Sequence, residues 1–246
     1  MAFEPTTPEN KHQLTKKQHF HMRAILQRFT DGTNLVEVTE RPSGAVSCLS
    51  VNNQKFMGKR AWSQEIESGI SGPIEAAFLK EVDRVEAGET VENHGAISDY
   101  HLLWTLRHHF ALNPLDEAEV IPGMQLHMDV ELEELVEAMH KLPVRDGGKI
   151  AGRFATTLAI KELLADPNNV ANYEGIYWNV IRSEDKKFIS ADQYSSQLLL
   201  VVNPFLLLQG CREGRSPHTA STEEVEIYNQ ASIKQAQHFT FGSPSS

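Results

Sequence analysis

The chain has 246 residues, 40% of them apolar, and carries 23 basic and 33 acidic residues for a net charge of −10. A chain of this size and apolar share buries most of its unfolded surface, so it needs neither a disulfide framework nor a structural metal to hold a core. The acidic balance disfavours non-specific binding to phosphate backbones, which depends on clustered Lys and Arg, although a local basic groove stays compatible with a nucleic-acid enzyme.

Cys48 and Cys211 show no CxxC spacing, which fits a reducing compartment. The opening residues contain no apolar h-region. The longest apolar runs, Leu198–Val202 and Phe205–Leu208, are split by Asn203–Pro204 and too short to span a bilayer. A soluble cytoplasmic protein with no membrane partner is the expectation.

Residues 1–14 read as a disordered tail, because Pro5, Pro8 and their polar neighbours supply no core face. Thr15, with Gln18 three residues on, fits a helix N-cap. Met22, Ile25, Leu26 and Phe29 then follow at the spacing of a buried helical stripe, ended by Asp31–Gly32. Leu35–Val38 and Ala45–Val51 read as a hairpin around Arg41–Gly44. Trp62 to Ala87 reads as a helix interrupted near Gly69–Pro73, and Ser98 as the cap of a helix reaching Leu112.

A connection over 115–128 leads to helices from about Val130 to His140 and Lys149 to Ala165. The acidic stretch Asp129–Glu137 reads as a solvated helix face. A β section at about 175–209 and a helix from about Thr222 to Gln237 close the chain before a polar tail, 242–246. The expected class is α+β: a mostly helical single domain over 15–241, with an N-terminal hairpin and a compact antiparallel β section late in the chain.

Five polar residues stand out. His19 sits beside the first apolar stripe. Arg107 continues the buried face of Tyr100, Leu103 and Trp104 at i, i+3, i+4 and i+7, so it needs an anionic partner: Glu75, Asp192, or a substrate phosphate or carboxylate. Asp192 closes the β run Phe188–Ala191, expected as the second arm of a hairpin, with no Lys or Arg just after it. Asn229 lies on the face of Val225, Tyr228, Ser232, Ala236 and Phe239, where an amide needs partners in both directions.

Metal and cofactor signatures are missing. His101 and His108 share a helical face about 10 Å apart at 1.5 Å rise per residue, too far for one ion. No HExxH, Cys/His quartet or EF-hand loop occurs, and no GxSxG, GxxxxGK[ST] or GxGxxG is present. No zinc site is expected, and no cofactor is indicated.

Lys17–Met22, Glu65–Glu75, Leu106–His109, Phe188–Tyr194, Asn203–Leu206 and Asn229–Phe241 follow one another in an order that resembles domain-of-unknown-function family 4238 of bacteria, some phages and fungi. Lys17–Met22, running on to Leu26 and Phe29, is similar to that family's "QHYVP…YL..F" opening. The helix Glu65–Glu75 is similar to "E…iE", and Leu106–His109 sits where the family has a "Q..RTP" arginine. Phe188–Tyr194 resembles "fiTSDnPv", Asn203–Leu206 "PLSP", and Asn229–Phe241 the closing "N…..A..yvf" helix. Met22, His108–His109 and Tyr194 depart from the motif prolines and the Thr–Pro pair. The resemblance implies a fold and the polar set His19, Glu75, Arg107, Asp192 and Asn229, without an activity.

Two functions remain open. One is a hydrolase of a phosphate ester or nucleic acid in a bacterial or phage conflict system. Arg107 would hold the phosphate, Asp192 and Glu75 act as acid/base or metal ligands, and His19 move protons. The alternative is a non-enzymatic binding or regulatory module whose polar cluster is a buried structural network, with Arg107 and Asp192 paired directly.

Overall fold

The computed structural model describes residues 4–194 and 196–244. In chain order the first half contains β1 (Lys17–His19), α1 (Arg23–Gln27), β2 (Leu35–Glu40), β3 (Val46–Ser50) and β4 (Met57–Lys59). A π-helical stretch over Glu65–Ile70 then runs into α2 (Ser71–Glu86), followed by α3 (His94–Leu112). Next come β5 (Ala118–Glu119), α4 (Val130–Ala138), β6 (Lys149–Ile150), α5 (Gly152–Ala165) and α6 (Pro167–Tyr173). The last third contains β7 (Tyr177–Arg182), β8 (Ser190–Ala191), β9 (Leu199–Asn203), β10 (Leu206–Cys211), β11 (His218–Thr219), α7 (Thr222–Gln235) and β12 (Phe239–Gly242). The class is α+β.

Two four-stranded sheets frame the core, ordered β11-β7-β10-β9 and β3-β2-β12-β8, with the small pairs β1-β4 and β5-β6 beside them. In β2, Val36 and Val38 point inward, while the residues between them are only partly covered; this is the period-two pattern of a strand with one dry face. By contrast, β9 is buried over Leu199–Val202, so its continuous apolar run is covered on both faces. One apolar cluster joins Phe29, Phe56, Trp62, Phe78, Trp104, Trp178 and Phe241 across both sheets and α1, α2 and α3. Among the described residues, no helix is long and apolar enough to cross a membrane.

Local chemistry sets the helix boundaries. Ser221 and Glu224 form a reciprocal capping box at the start of α7. Asp129 caps α4 and Asn93 caps α3, each accepting from a backbone N–H in the first turn. Pro73 falls in the first turn of α2, just after the π-helical stretch ends.

Several expectations need correction. Thr15 does not cap a helix: Lys17–His19 is a strand paired with β4, and only Arg23–Gln27 is helical. The cap of α3 is Asn93, not Ser98. Asp192 does not close a hairpin, because β8 pairs with β12 in one sheet while β7 pairs with β10 in the other. Phe239 lies on β12, not on the last helix, and its strand slots between β2 and β8. Helix α6, begun by Asp166 with Pro167 at its first position, was not anticipated.

The described part of the N-terminal segment is not a loose tail. Glu4 is bound to Arg145 and Arg153, Thr7 donates from its N–H and hydroxyl to Glu134 at 2.6 and 2.7 Å, and Leu14 is buried. Residues 1–3, 245 and 246, expected as tail, lie outside the described residues.

Helix α4 is turned inside out. Glu133, Glu134 and Glu137, expected in solvent, are buried, whereas Leu132, Leu135 and Met139 are exposed. The acidic face is drawn inward by three arginines: Arg145 and Arg153 bind Glu133, while Arg60 and Arg153 bind Glu137. Burial works against the charged Glu133, but hydrogen bonds and charge from Arg145 and Arg153 win and hold its carboxyl below the ordinary range.

Candidate functional site

Tyr100, Leu103, Trp104 and Arg107 are all buried on α3, as their spacing predicts. The Arg107 side chain, 3% exposed, takes Glu75 of α2 as its anionic partner, donating from Nη1 to Oε1 at 2.6 Å. Its guanidinium carbon lies 5.3 Å from the Trp62 ring, a cation–π contact. Arg107 Nε finds no partner among the described residues. Glu75 is only partly covered, so the pair has one end toward solvent.

Two further acid–base groups attach here. His19, half-buried at the end of β1, donates from Nε2 to the Val51 carbonyl at 3.0 Å, which leaves Nδ1 as a lone pair. Burial holds its imidazole below its ordinary value; the Val51 bond opposes this, and the positive charges of Arg107 and Arg23 add to it. Glu67, from the π-helical stretch, accepts from Trp62 Nε1 at 2.8 Å. Burial pushes its carboxyl up, against the pull of Arg107.

Behind this group lies a dry layer of histidines. His21 is fully buried and stacked on Trp104, with ring centroids 4.3 Å apart. The Tyr100 hydroxyl accepts from the Met22 N–H at 3.1 Å and shares a hydrogen bond of 2.7 Å with His21 Nδ1. Burial first, then nearby positive charge including Arg107, pushes the His21 imidazole down to about 3. His101, hydrogen-bonded to Tyr173 at 2.8 Å, is pushed down to about 4 by burial. Both rings are therefore neutral at neutral pH.

Asp192 has no exposed surface. Its Oδ1 accepts from the Gln237 N–H at 2.8 Å, and its Oδ2 accepts from the His238 N–H at 2.9 Å and from His108 Nε2 at 3.2 Å. It thus ties the end of α7 and the entry to β12 to α3. Asn229 plays a similar part: Oδ1 accepts from the Ile189 N–H at 2.9 Å and Nδ2 donates to the Lys187 carbonyl at 3.0 Å, completing the two-way bonding its buried amide needs.

The five predicted residues therefore separate. His19, Glu75 and Arg107 share one neighbourhood; Asp192 is held at the next position of α3 by His108; Asn229 fastens α7 to the segment before β8. No ion pair joins Arg107 to Asp192: Arg107 pairs with Glu75, and Asp192 with His108. The sequence pattern alone does not single out His21, Glu67 or His108. A helical reading of residues 18–22 places His21 opposite His19, and His108 sits on a face whose neighbours are mostly apolar.

A cleft of about 460 Å³ is bordered by Met57, Arg60, Leu115, Arg153 and Glu4. A second, of about 370 Å³, lies among Ile74, Leu102, Lys161, Leu164 and Tyr173. His19, Glu75, Arg107 and Asp192 line neither of these, nor three further clefts. Among the described residues, no group of three His, Cys, Asp or Glu is placed to hold a metal ion. Comparison with protein-family models, curated proteins and solved structures gives no match.

Proposed function

We propose that this chain is a binding or regulatory module and that its polar set is architectural. The observation that carries this reading is the state of Asp192: zero exposure, with two backbone N–H groups and one imidazole donating to it. A carboxylate so occupied has no oxygen turned toward a substrate, and it secures the junction of α3, α7 and β12. Asn229 supports the same reading, since both ends of its amide are spent on main chain. Kinship with family 4238 belongs to this proposal and rests on the order of the motifs.

Asp192→Ala removes the acceptor of two main-chain N–H groups and of buried His108, so unfolding should lose about 3 kcal/mol, read by denaturant titration. A variant that keeps its melting temperature overturns the reading.

One observation favours a second reading, a phosphate-ester or nucleic-acid hydrolase of a bacterial or phage conflict system. His19 is only partly buried and neutral, with Nδ1 left as a lone pair, and stands within electrostatic reach of Arg107 and Glu75. The arrangement offers a general base beside an anion-binding guanidinium, without Asp192. Hydrolysis of bis-p-nitrophenyl phosphate that disappears in His19→Ala at unchanged melting temperature would establish it.

A further inference from the structure

The cleft beside β4 has features that the packing of α3 does not explain. Two arginines border it, Arg60 and Arg153, both less than one-tenth exposed. Arg60 donates from Nη2 to Glu137 at 2.8 Å, but its Nε and Nη1 are buried without a partner among the described residues. These two N–H groups leave Arg60 with hydrogen-bonding capacity that Glu137 does not use and that an anionic group can take up. Arg60 also has a φ of 47°, a left-handed conformation unusual for a non-glycine residue. The cleft also has apolar lining from Met57, Ala61, Ala111, Pro114 and Leu115.

Glu4 lies in the same cleft. Its carboxylate bridges Arg145, at 2.9 and 3.1 Å, and Arg153, while 41% of the side chain stays exposed. Within this ion-pair network Arg60, Arg145, Arg153 and Lys149 face Glu4, Glu117, Glu133 and Glu137. Departure of Glu4 would take one carboxylate partner from Arg145 and one from Arg153. The volume, about 460 Å³, is in the range of small-molecule sites.

We propose that this cleft binds a small organic monocarboxylate with an apolar body, and that Glu4 fills the charged end in cis until the ligand displaces it. The carboxylate meets Arg60 and Arg153, and the apolar body lies against Met57, Pro114 and Leu115. The inference rests on the binding-module reading and names its ligand class. Its residues are distinct from Asp192 and His19, so each can fail alone.

The test is calorimetric titration of the full chain with hexanoate and with benzoate, against sodium chloride at matched ionic strength, inorganic phosphate and a hexaglutamate peptide. Glu4→Gln removes the internal competitor and should tighten binding of hexanoate or benzoate about tenfold. Leu115→Trp fills the apolar end while leaving every arginine in place, and should abolish that binding without lowering the melting temperature. Arg60→Met should abolish it too; because Arg60 is paired with buried Glu137 and its loss can disturb folding, Leu115→Trp is the deciding variant. The proposal is overturned if neither carboxylate binds Glu4→Gln, if binding survives Leu115→Trp, or if only phosphate or hexaglutamate binds.

Discussion

The layer around α3 and the flank built from α4, α5 and the N-terminal segment both bury ionisable side chains, but they keep them in different states. Around α3, His21 and His101 are neutral, their charged forms suppressed by an apolar setting of Trp104, Phe241 and Trp178. On the flank, Glu133, Glu137, Arg60 and Arg153 are matched in ion pairs, and the apolar cluster beneath them consists of Ile150, Ala151 and Phe154 with a few partly buried neighbours. Burying a charge is expensive, so a protein either discharges the group or gives it a partner. The apolar centre follows the first course and the ionic flank the second, and each should yield to a different perturbation.

Acid should break the centre. His21 and His101 have folded-state pKa values below the 6.5 of an unfolded histidine, so between these values the unfolded chain binds more protons. Their contribution is fully present above pH 6.5 and is lost as pH falls from 6.5 toward about 3–4. A tenfold difference in proton affinity between folded and unfolded chain is worth about 1.4 kcal/mol, so the loss amounts to several kcal/mol. Denaturant titrations from about pH 7.5 to 4 should show stability falling steeply, and His21→Phe should flatten the slope. A flat profile would mean that the rings are solvated.

The next largest effect belongs to the flank. Arg153 binds Glu4, Glu133 and Glu137, so Arg153→Met leaves buried carboxylates with fewer partners and should cost about 3 kcal/mol. Hydrogen exchange should speed up over residues 4–14 and 130–138 before it changes in α3. Uniform acceleration over the whole chain would show that the two regions open as one.

The smallest effect is expected on the outer face of α4. Leu132 is 43% exposed, so Leu132→Ser should change stability by no more than about 0.5 kcal/mol, measured by thermal unfolding. A larger loss would mean that this leucine is covered in solution and that the helix is not turned as described.

Periodicity in the sequence was enough to find the elements whose partners are close along the chain. The β2–β3 hairpin, the interrupted helix before Ala87, the buried stripe of α3 and the start of α7 each carry their own signal, and the buried setting of Arg107 followed from its spacing alone. Partners distant in sequence were harder to read. Lys17–His19 resembled a helix start because its pairing strand, Met57–Lys59, lies some forty positions on. The acidic face of α4 looked solvated because Arg60 and Arg153 belong to other elements. Of the candidate site, the residue types were visible but not their grouping.

What the sequence determined by itself is the α+β class and the inventory of polar side chains that must find partners. Only the tertiary structure decided which partner each one took: Glu75 for Arg107, the turn before β12 for Asp192, and the segment before β8 for Asn229. The physical reason is range. Helical and strand periods are properties of neighbouring residues, whereas the choice of counter-charge or hydrogen-bond partner is made between segments that meet only after the chain has closed over its core.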